Sequence, residues 1–230
     1  MNGNQVLITG ANRGIGLEFT KQYADDGWKV LACCRESKSA TDLQALASAN
    51  KNIRVLALDV SNFDQIDSLA LQLKNEVIDV LINNAGVYPS SVFGETNYDD
   101  WAHAFKINTM SSLKMSEAFL QHVAKSQLKK IATLSSKMGS IDDNTSGDSY
   151  LYRSSKTAVN MVMKSLSIDL KPYSISVVTL HPGWVQTDMG GSNGLINAQT
   201  SVSGLRRVIA NLSLENTGRF IAFDGQPINW

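Results

Sequence analysis

The chain has 230 residues, 43% of them hydrophobic, and its 21 basic side chains balance 21 acidic ones. That length suits one large α/β domain better than two small ones, and a net charge of zero argues against nucleic acid or an anionic membrane as a partner. No apolar run is long enough to span a bilayer, and the opening Met1-Asn-Gly-Asn-Gln5 lacks the basic-then-apolar form of a signal peptide.

Short apolar runs of β character alternate with helical stretches along the chain. The first strand, over residues 5–9, runs into Thr9-Gly-Ala-Asn-Arg-Gly-Ile-Gly16 and then an amphipathic helix. A second strand over 29–34 ends in adjacent Cys33 and Cys34, which cannot staple distant segments and read as buried strand residues of a reducing cytoplasm. The third covers 53–58, and the helix after it carries Phe63, Ile66, Leu69 and Leu73 at helical spacing, with Ser61 and Asp64 as a capping pair. Strands follow over 79–83 and 130–135, then a Gly, Asp and Ser-rich loop over 140–148. Val159, Met163, Leu166 and Leu170 mark a long helix that Lys171-Pro172 ends. The sixth strand covers 176–180, a late helix holds Val202, Leu205, Ile209 and Leu212, and a last strand covers 220–223. Several strands are continuous apolar runs without alternation, as expected where both faces are buried. The alternation predicts a single Rossmann-like doubly wound α/β domain over 1–230, with a mostly parallel seven-stranded sheet and helices on both faces. No repeat, linker or low-complexity tract interrupts it.

Two places carry chemistry. The glycine turn follows a strand and opens a helix, so its backbone is able to approach a pyrophosphate at the positive helix end. Its spacing is Gly-x-x-x-Gly-x-Gly. The second strand's end is where a carboxylate would hold an adenosine 2′-hydroxyl and a cation a 2′-phosphate. Arg35 stands there, with Arg13 in the glycine turn and Glu36 next along, which favours NADP(H) over NAD(H). Asp59, at the end of the third strand, either accepts from the adenine amino group or caps the next helix. Tyr152 and Lys156 stand four apart in a helical run and share one face. A lysine charge close to a phenol lowers its pKa from about 10 and brings it into range for proton transfer.

With these residues in place, the chain resembles the short-chain dehydrogenase/reductase family in its shorter, single-domain branch. The matching motifs come in family order: Thr9-Gly-(x)3-Gly-x-Gly16, Asp59-Val60, Asn83-Asn-Ala-Gly86, Asn108, Leu134-Ser-Ser136, Tyr152-x-x-x-Lys156 and Pro182-Gly183. His181-Pro-Gly-Trp-Val-Gln-Thr-Asp-Met-Gly-Gly191 and the ending Asn216-Thr-Gly-Arg-Phe220 through Trp230 are similar to the C-factor and sniffer-type carbonyl reductase group. The resemblance implies an NADPH-dependent reductase of an aldehyde or ketone, reversible as an alcohol oxidation. In that reading Tyr152 is the general acid, Lys156 lowers its pKa and holds the nicotinamide ribose, Ser136 bonds the substrate oxygen, and Asn108 positions a water that links Lys156 to solvent. Gly10, Asn12, Arg13, Gly14, Ile15 and Gly16 would meet the cofactor, as would Arg35, Asp59 and Val60. Asn84, Ala85 and Gly86 would pass close to it, with Pro182, Gly183, Val185 and Thr187 at the nicotinamide. No metal is implied. Pairing into a homodimer or homotetramer would use the helix after the fourth strand and the Tyr152 helix. A second class of function is an NADP-binding signalling or regulatory protein with incidental turnover.

Two features depart from the family pattern. Ser136 lies further from Tyr152 than the family serine usually does, which keeps Ser135 and Ser140 as rivals. The stretch over 189–197 is short and glycine-rich where a long substrate lid is common, which suggests an open or adaptable pocket. Tyr150 has Ser154 four residues on and reads as a pocket wall, His181 before Pro182 as a packed or capping histidine. Tyr88, Phe93, Met138 and Trp184 fall on loops that surround the substrate or lid the core.

Overall fold

The structure is a computed structural model that describes residues 3–230. Seven strands form one sheet: β1 (Gln5–Thr9), β2 (Lys29–Cys34), β3 (Ile53–Ala57), β4 (Val80–Asn83), β5 (Lys130–Leu134), β6 (Ser176–His181) and β7 (Arg219–Ala222). Their order is β3-β2-β1-β4-β5-β6-β7, and every neighbouring pair is parallel. This is a Rossmann-like α/β fold. The strand order reverses between β1 and β4, and ligands of such sheets bind at the carboxyl ends beside that reversal. The end of β7 is covered by the returning tail, where Ile221 bridges Pro227.

Alternation within the buried strands builds two cores. Leu7, Leu31, Leu81, Ile131 and Val177 pack on one face, and Val6, Ile8, Val30, Ile82 and Val178 on the other. The first face is covered by α3 (Phe63–Gln72), α5 (Ser111–Ala118) and α7 (Tyr150–Asp169), the second by α1 (Gly14–Asp25) and α8 (Ala198–Ala210). Fully buried Phe19 and Phe119 anchor opposite sides, each worth about 1.5–3 kcal/mol of transfer free energy. The short α2 (Thr41–Ala49), α4 (Tyr98–Phe105) and α6 (Leu120–Ala124) complete the layers. Buried Lys130 donates from Nζ to the carbonyls of Ile209 and Ala210 at 2.8 and 2.7 Å, closing the carboxyl end of α8 with a charge that the helix dipole favours.

Local details correct the sequence reading. Helix α3 is capped by Asn62, whose Oδ1 accepts from Gln65 N at 3.3 Å. Ser61 is instead held by Asp59, so the Ser61–Asp64 pair does not form the cap. Between α4 and α5 the helix passes through a π turn at Lys106–Met110, where Ser111 N reaches back to Lys106 O. Such turns widen a helix and frequently mark functional sites. Asn108 sits in the middle of this one.

Candidate active site

The carboxyl ends of β1, β2, β3, β4, β5 and β6 open into a cleft of about 460 Å³. Its first wall is the glycine turn. Gly10 has φ +65°, and a Cβ there would lie 2.9 Å from Ala85 Cα; one on Gly16 would lie 2.1 Å from Gly10 O. Only glycine allows both the positive φ and the close passage of two backbones. The β4 end braces the turn. Asn84 Nδ2 donates to the Thr9 and Gly10 carbonyls at 2.8 and 3.1 Å, while Thr9 Oγ1 accepts from both Asn84 N and Ala85 N at 3.0 Å. Helix α1 has no side-chain cap, so its amino end faces the cleft with donors to offer.

Arg35, the first residue past β2, lines the cleft with Glu36, Leu58, Asp59 and Val60. Asp59 Oδ1 accepts from Ser61 N and Oγ at 2.9 and 2.7 Å. Partial burial would raise this carboxyl, but the Ser61 bonds, aided by Arg35 and His103, hold it below the ordinary range. Arg13 does not stand ready beside Arg35. It pairs with Asp188 at 2.8 Å, across from the glycine turn, and both side chains are largely exposed. Gly14 approaches the same segment, since a Cβ there would lie 3.3 Å from Thr187 Cγ2.

At the other end of the cleft the polar groups are buried. Lys156 is 4% exposed and donates from Nζ to Leu134 O at 2.9 Å. The ammonium stands 5.7 Å from the Tyr152 ring centroid. Asn108 is bonded at both ends of its amide: Oδ1 accepts from Val87 N at 2.8 Å, and Nδ2 donates to Val87 O and Ser155 Oγ at 2.9 Å each. It ties the β4 loop to α7 beside Lys156. A Cβ on Gly86 would fall 3.2 Å from Asn108 Oδ1 and 3.6 Å from Lys156 Nζ, so this glycine keeps the space in front of the lysine clear.

Charge and burial set the titrations here. Burial pushes the Tyr152 phenol up to about 12, against a Ser136 hydrogen bond that lowers it. Burial pulls Lys156 down to about 8. From spacing alone, the lysine charge is expected to lower the tyrosine. In the folded chain desolvation wins, because both groups lie out of water and each is driven toward its neutral form.

Of the three candidate serines, Ser136 is the one near enough to Tyr152 to lower its titration. Its Oγ also accepts from Met138 N. Ser135 borders the cleft, but its Oγ donates to Lys156 O, and Ser140 Oγ accepts from Asp143 N, so both hydroxyls are engaged by other groups. His181 Nδ1 accepts from Lys137 N at 3.1 Å, and burial with the Lys137 charge lowers it to about 4, as befits a packed acceptor. Tyr150 is 41% exposed and tilts against Phe93.

The stretch over 189–197 is tied back to residues 184–186. Trp184 Nε1 donates to Gly190 O at 2.7 Å, Gln186 Nε2 to Gly194 O at 3.0 Å, and Val185 bridges Ile196. Pro182, Thr187, Asp188 and Met189 border the cleft, with Gly183 at φ +84° turning the chain and Val185 buried beneath.

Three neighbours complete this end of the site: Tyr88, which the sequence places on a loop around the substrate or over the core, and two groups that carry no sequence signal, the Arg153 clamp and a backbone carbonyl. Tyr88 packs edge-on to Tyr152, with ring centroids 4.5 Å apart and planes at 66°, and its hydroxyl lies 3.0 Å from Ser149 Oγ. Arg153 ties down the extended loop, donating to Gly147 O, Met138 O and Ser146 Oγ. The Leu134 carbonyl that receives Lys156 is a backbone atom without a sequence signature. Among the described residues no group of His, Cys, Asp and Glu could hold a metal, and no helix is long and apolar enough to cross a membrane.

A parallel sheet with a glycine cradle and a buried Tyr–Lys pair at its carboxyl edge defines a dinucleotide-dependent oxidoreductase class. The chain belongs to the short chain dehydrogenase family, whose model matches residues 4–195. It is 44% identical over 154 residues to C-signal of Myxococcus xanthus, covering 66% of this chain and 93% of that one. Two solved structures superpose over nearly the whole length. Carbonyl reductase Sniffer of D. melanogaster gives a TM-score of 0.94 at 36% identity, covering 99% of this chain and 100% of that one. The NADPH-bound carbonyl reductase from chicken fatty liver gives 0.94 at 34% identity, with 100% of both chains covered.

Proposed function

We propose that this chain reduces an aldehyde or ketone with NADPH, or runs the reverse alcohol oxidation. The observation that carries the reading is the buried Tyr152–Lys156 pair beside Ser136, at the carboxyl edge of the sheet and in one cleft with the glycine cradle. The cradle fits a dinucleotide. Side chains at Gly10 or Gly16 would collide with Ala85 or with the Gly10 carbonyl, so only glycine closes this tight turn, and one at Gly86 would crowd Asn108 and Lys156; the open end of α1 favours phosphate charge.

NADPH, when bound, supplies the hydride. Tyr152 holds its proton at neutral pH, since burial raises its pKa, and is therefore a donor to a carbonyl oxygen as charge develops there. Ser136 adds a second hydrogen bond to that oxygen. Lys156 carries most of its positive charge at neutral pH, steadies the phenolate once the proton has left, and reaches the nicotinamide ribose. Asn108, at the π turn beside Lys156, serves the proton path to solvent through a water. Thr187 meets the carboxamide, with Asn84, Ala85, Gly86, Pro182, Gly183 and Val185 forming the walls around that half of the cofactor.

At the adenosine half, Arg13 and Gly14 with Asn12 and Ile15 meet the phosphates, and Asp59 with Val60 borders the adenine. Arg35, which has no ion-pair partner among the described residues, receives the 2′-phosphate and sets a preference for NADP(H). NADPH in the chicken fatty liver carbonyl reductase structure supports this choice. The free thiols of Cys33 and Cys34 suit a reducing compartment, the cytoplasm. Exposed Met161 and Ile168 on α7 suit pairing of two or four copies through that helix.

The test is a panel of aldehydes and ketones, with NADPH oxidation followed by absorbance, NADH run in parallel and Tyr152→Phe as control. Turnover with NADPH on some member, lost in Tyr152→Phe, is expected. No turnover on any carbonyl with NADP binding intact would turn the reading to a sensor. That second reading, an NADP-binding signalling protein, is favoured by the likeness to a protein named C-signal.

A further inference from the structure

A helix leaves its first backbone N–H groups without partners, and a Ser at the cap position ordinarily turns its hydroxyl back to fill one of them. Helix α7, which carries Tyr152 and Lys156, has Ser149 at that position. Ser149 cannot do this. Its backbone is left-handed, with φ 52° and ψ 37°, and its side chain makes no cap bond. Gly147 and Asp148 before it also have positive φ, 69° and 52°. Three such residues in a row, two of them not glycine, persist only where surrounding contacts enforce them.

Those contacts come from the loop after β4. Ser91 is 6% exposed. Its Oγ accepts from Leu151 N at 3.2 Å and its carbonyl accepts from Ser149 N at 3.1 Å. The same loop places the Tyr88 hydroxyl 3.0 Å from Ser149 Oγ and the Tyr88 ring edge-on against Tyr152. From the other side, Arg153 fixes Gly147 O, Ser146 Oγ and Met138 O, so the strained turn is gripped on both flanks.

We propose that Ser91 caps the Tyr152 helix from a distant loop, and that Ser91 and Tyr88 are positioning residues for the Tyr152 phenol. The proposal rests on the reading of Tyr152 as proton donor. Tyr152 is the third residue of α7, next to the Leu151 N–H that Ser91 receives, so a shift of the cap moves the phenol with it. Loss of the cap leaves the cofactor's glycine cradle untouched, because among the described residues no hydrogen bond joins Ser91 to residues 10–16. The effect therefore falls on the chemical step and spares NADPH binding.

The test uses the full chain as Ser91→Ala, Ser91→Thr, Tyr88→Phe and Tyr152→Phe, with kcat, NADPH Kd and fluorine NMR of 3-fluorotyrosine-labelled protein. Ser91→Ala is expected to lower kcat about tenfold through misplacement of the acid, with NADPH Kd within about twofold of the parent. Ser91→Thr, which keeps the acceptor oxygen, restores kcat to within about threefold of the parent. The Tyr152 resonance, identified by its disappearance in Tyr152→Phe, moves in Ser91→Ala, returns in Ser91→Thr and moves in Tyr88→Phe, while that of distant Tyr23 stays in place. A Ser91→Ala protein with parental kcat and an unmoved Tyr152 resonance overturns the proposal, as does one that weakens kcat and NADPH binding equally. If Ser91→Ala does not fold, an unmoved Tyr152 resonance in Tyr88→Phe overturns it. If Tyr152→Phe keeps full turnover, the donor reading fails, and the resonance shifts still decide whether Ser91 sets the position of this ring.

Discussion

The two ends of the cleft hold charge in opposite ways. At the Tyr152 end the groups are buried, bonded to backbone carbonyls or amides from other elements, and shifted far in pKa. At the Arg35 end the guanidiniums are exposed, and the one ion pair, Arg13 with Asp188, joins side chains 65% and 72% exposed, a pair worth about 0–1 kcal/mol in water. Burial strengthens each polar bond at the first end and moves its titrations. Exposure makes the second end weak, screened by salt and tunable.

Substitutions should therefore separate the ends by size and by kind. The largest effect is expected for Tyr152→Phe: kcat falls about 10³-fold, and NADPH Kd measured by fluorescence quenching stays near that of the parent. Lys156→Ala comes next, with kcat down about 10²-fold and NADPH bound about tenfold more weakly. It loses both the charge and the donor to Leu134 O, and unchanged cofactor affinity would contradict the ribose contact. Lys156→Arg should not rescue it, because a planar guanidinium does not replace a compact ammonium in a closed site.

His181, behind the buried end, gives a pH test. Its folded pKa of about 4 lies below the ordinary 6.5, so the unfolded chain takes up a proton that the folded one refuses. Stability then falls as pH drops from about 6.5 to 4, by roughly 2 kcal/mol once partial exposure is allowed for. His181→Asn keeps an acceptor for Lys137 N but cannot titrate, and urea midpoints over that window should lose this slope. An identical slope in both proteins would assign the acid sensitivity elsewhere.

Effects at the exposed end are smaller. Arg35→Ala should cut the NADPH over NADH preference in kcat/KM about tenfold, most visibly at low salt. Arg13→Ala should change it by less than about threefold, since Asp188 already offsets that charge. Equal losses for the two arginines would erase the distinction between a paired and an unpaired cation.

The sequence carried the sheet well. All seven strands appear where runs of Val, Ile, Leu and Ala stood, because strands covered on both faces leave an unmixed apolar signal, and edges moved by only a residue or so. The glycine turn and the Tyr152–Lys156 pair were legible for a similar reason: backbone approach and helical spacing are local constraints. Caps were less so. Ser61, Asn62 and Asp64 all suit the start of α3, and the choice of Asn62 depends on Asp59 having taken Ser61. The cap from Ser91, the clamp by Arg153 and the carbonyl of Leu134 under Lys156 join residues far apart in the chain, and such bonds leave no local pattern. Spacing reveals the charge beside Tyr152 but not how completely both groups leave water, and it is the loss of water that sets the direction of the Tyr152 shift.

The most direct measurement is isotopic. The protein is incubated with a carbonyl that it turns over and with NADPH deuterated at the transferable C4 position, and the alcohol product is examined by mass spectrometry. One deuterium on the carbinol carbon, formed at a rate that falls about 10³-fold in Tyr152→Phe but only slightly in Arg13→Ala, is the predicted result. Unlabelled product, or labelled product formed equally fast without the Tyr152 hydroxyl, would contradict the assignment of hydride transfer and proton donation to the buried end of the cleft.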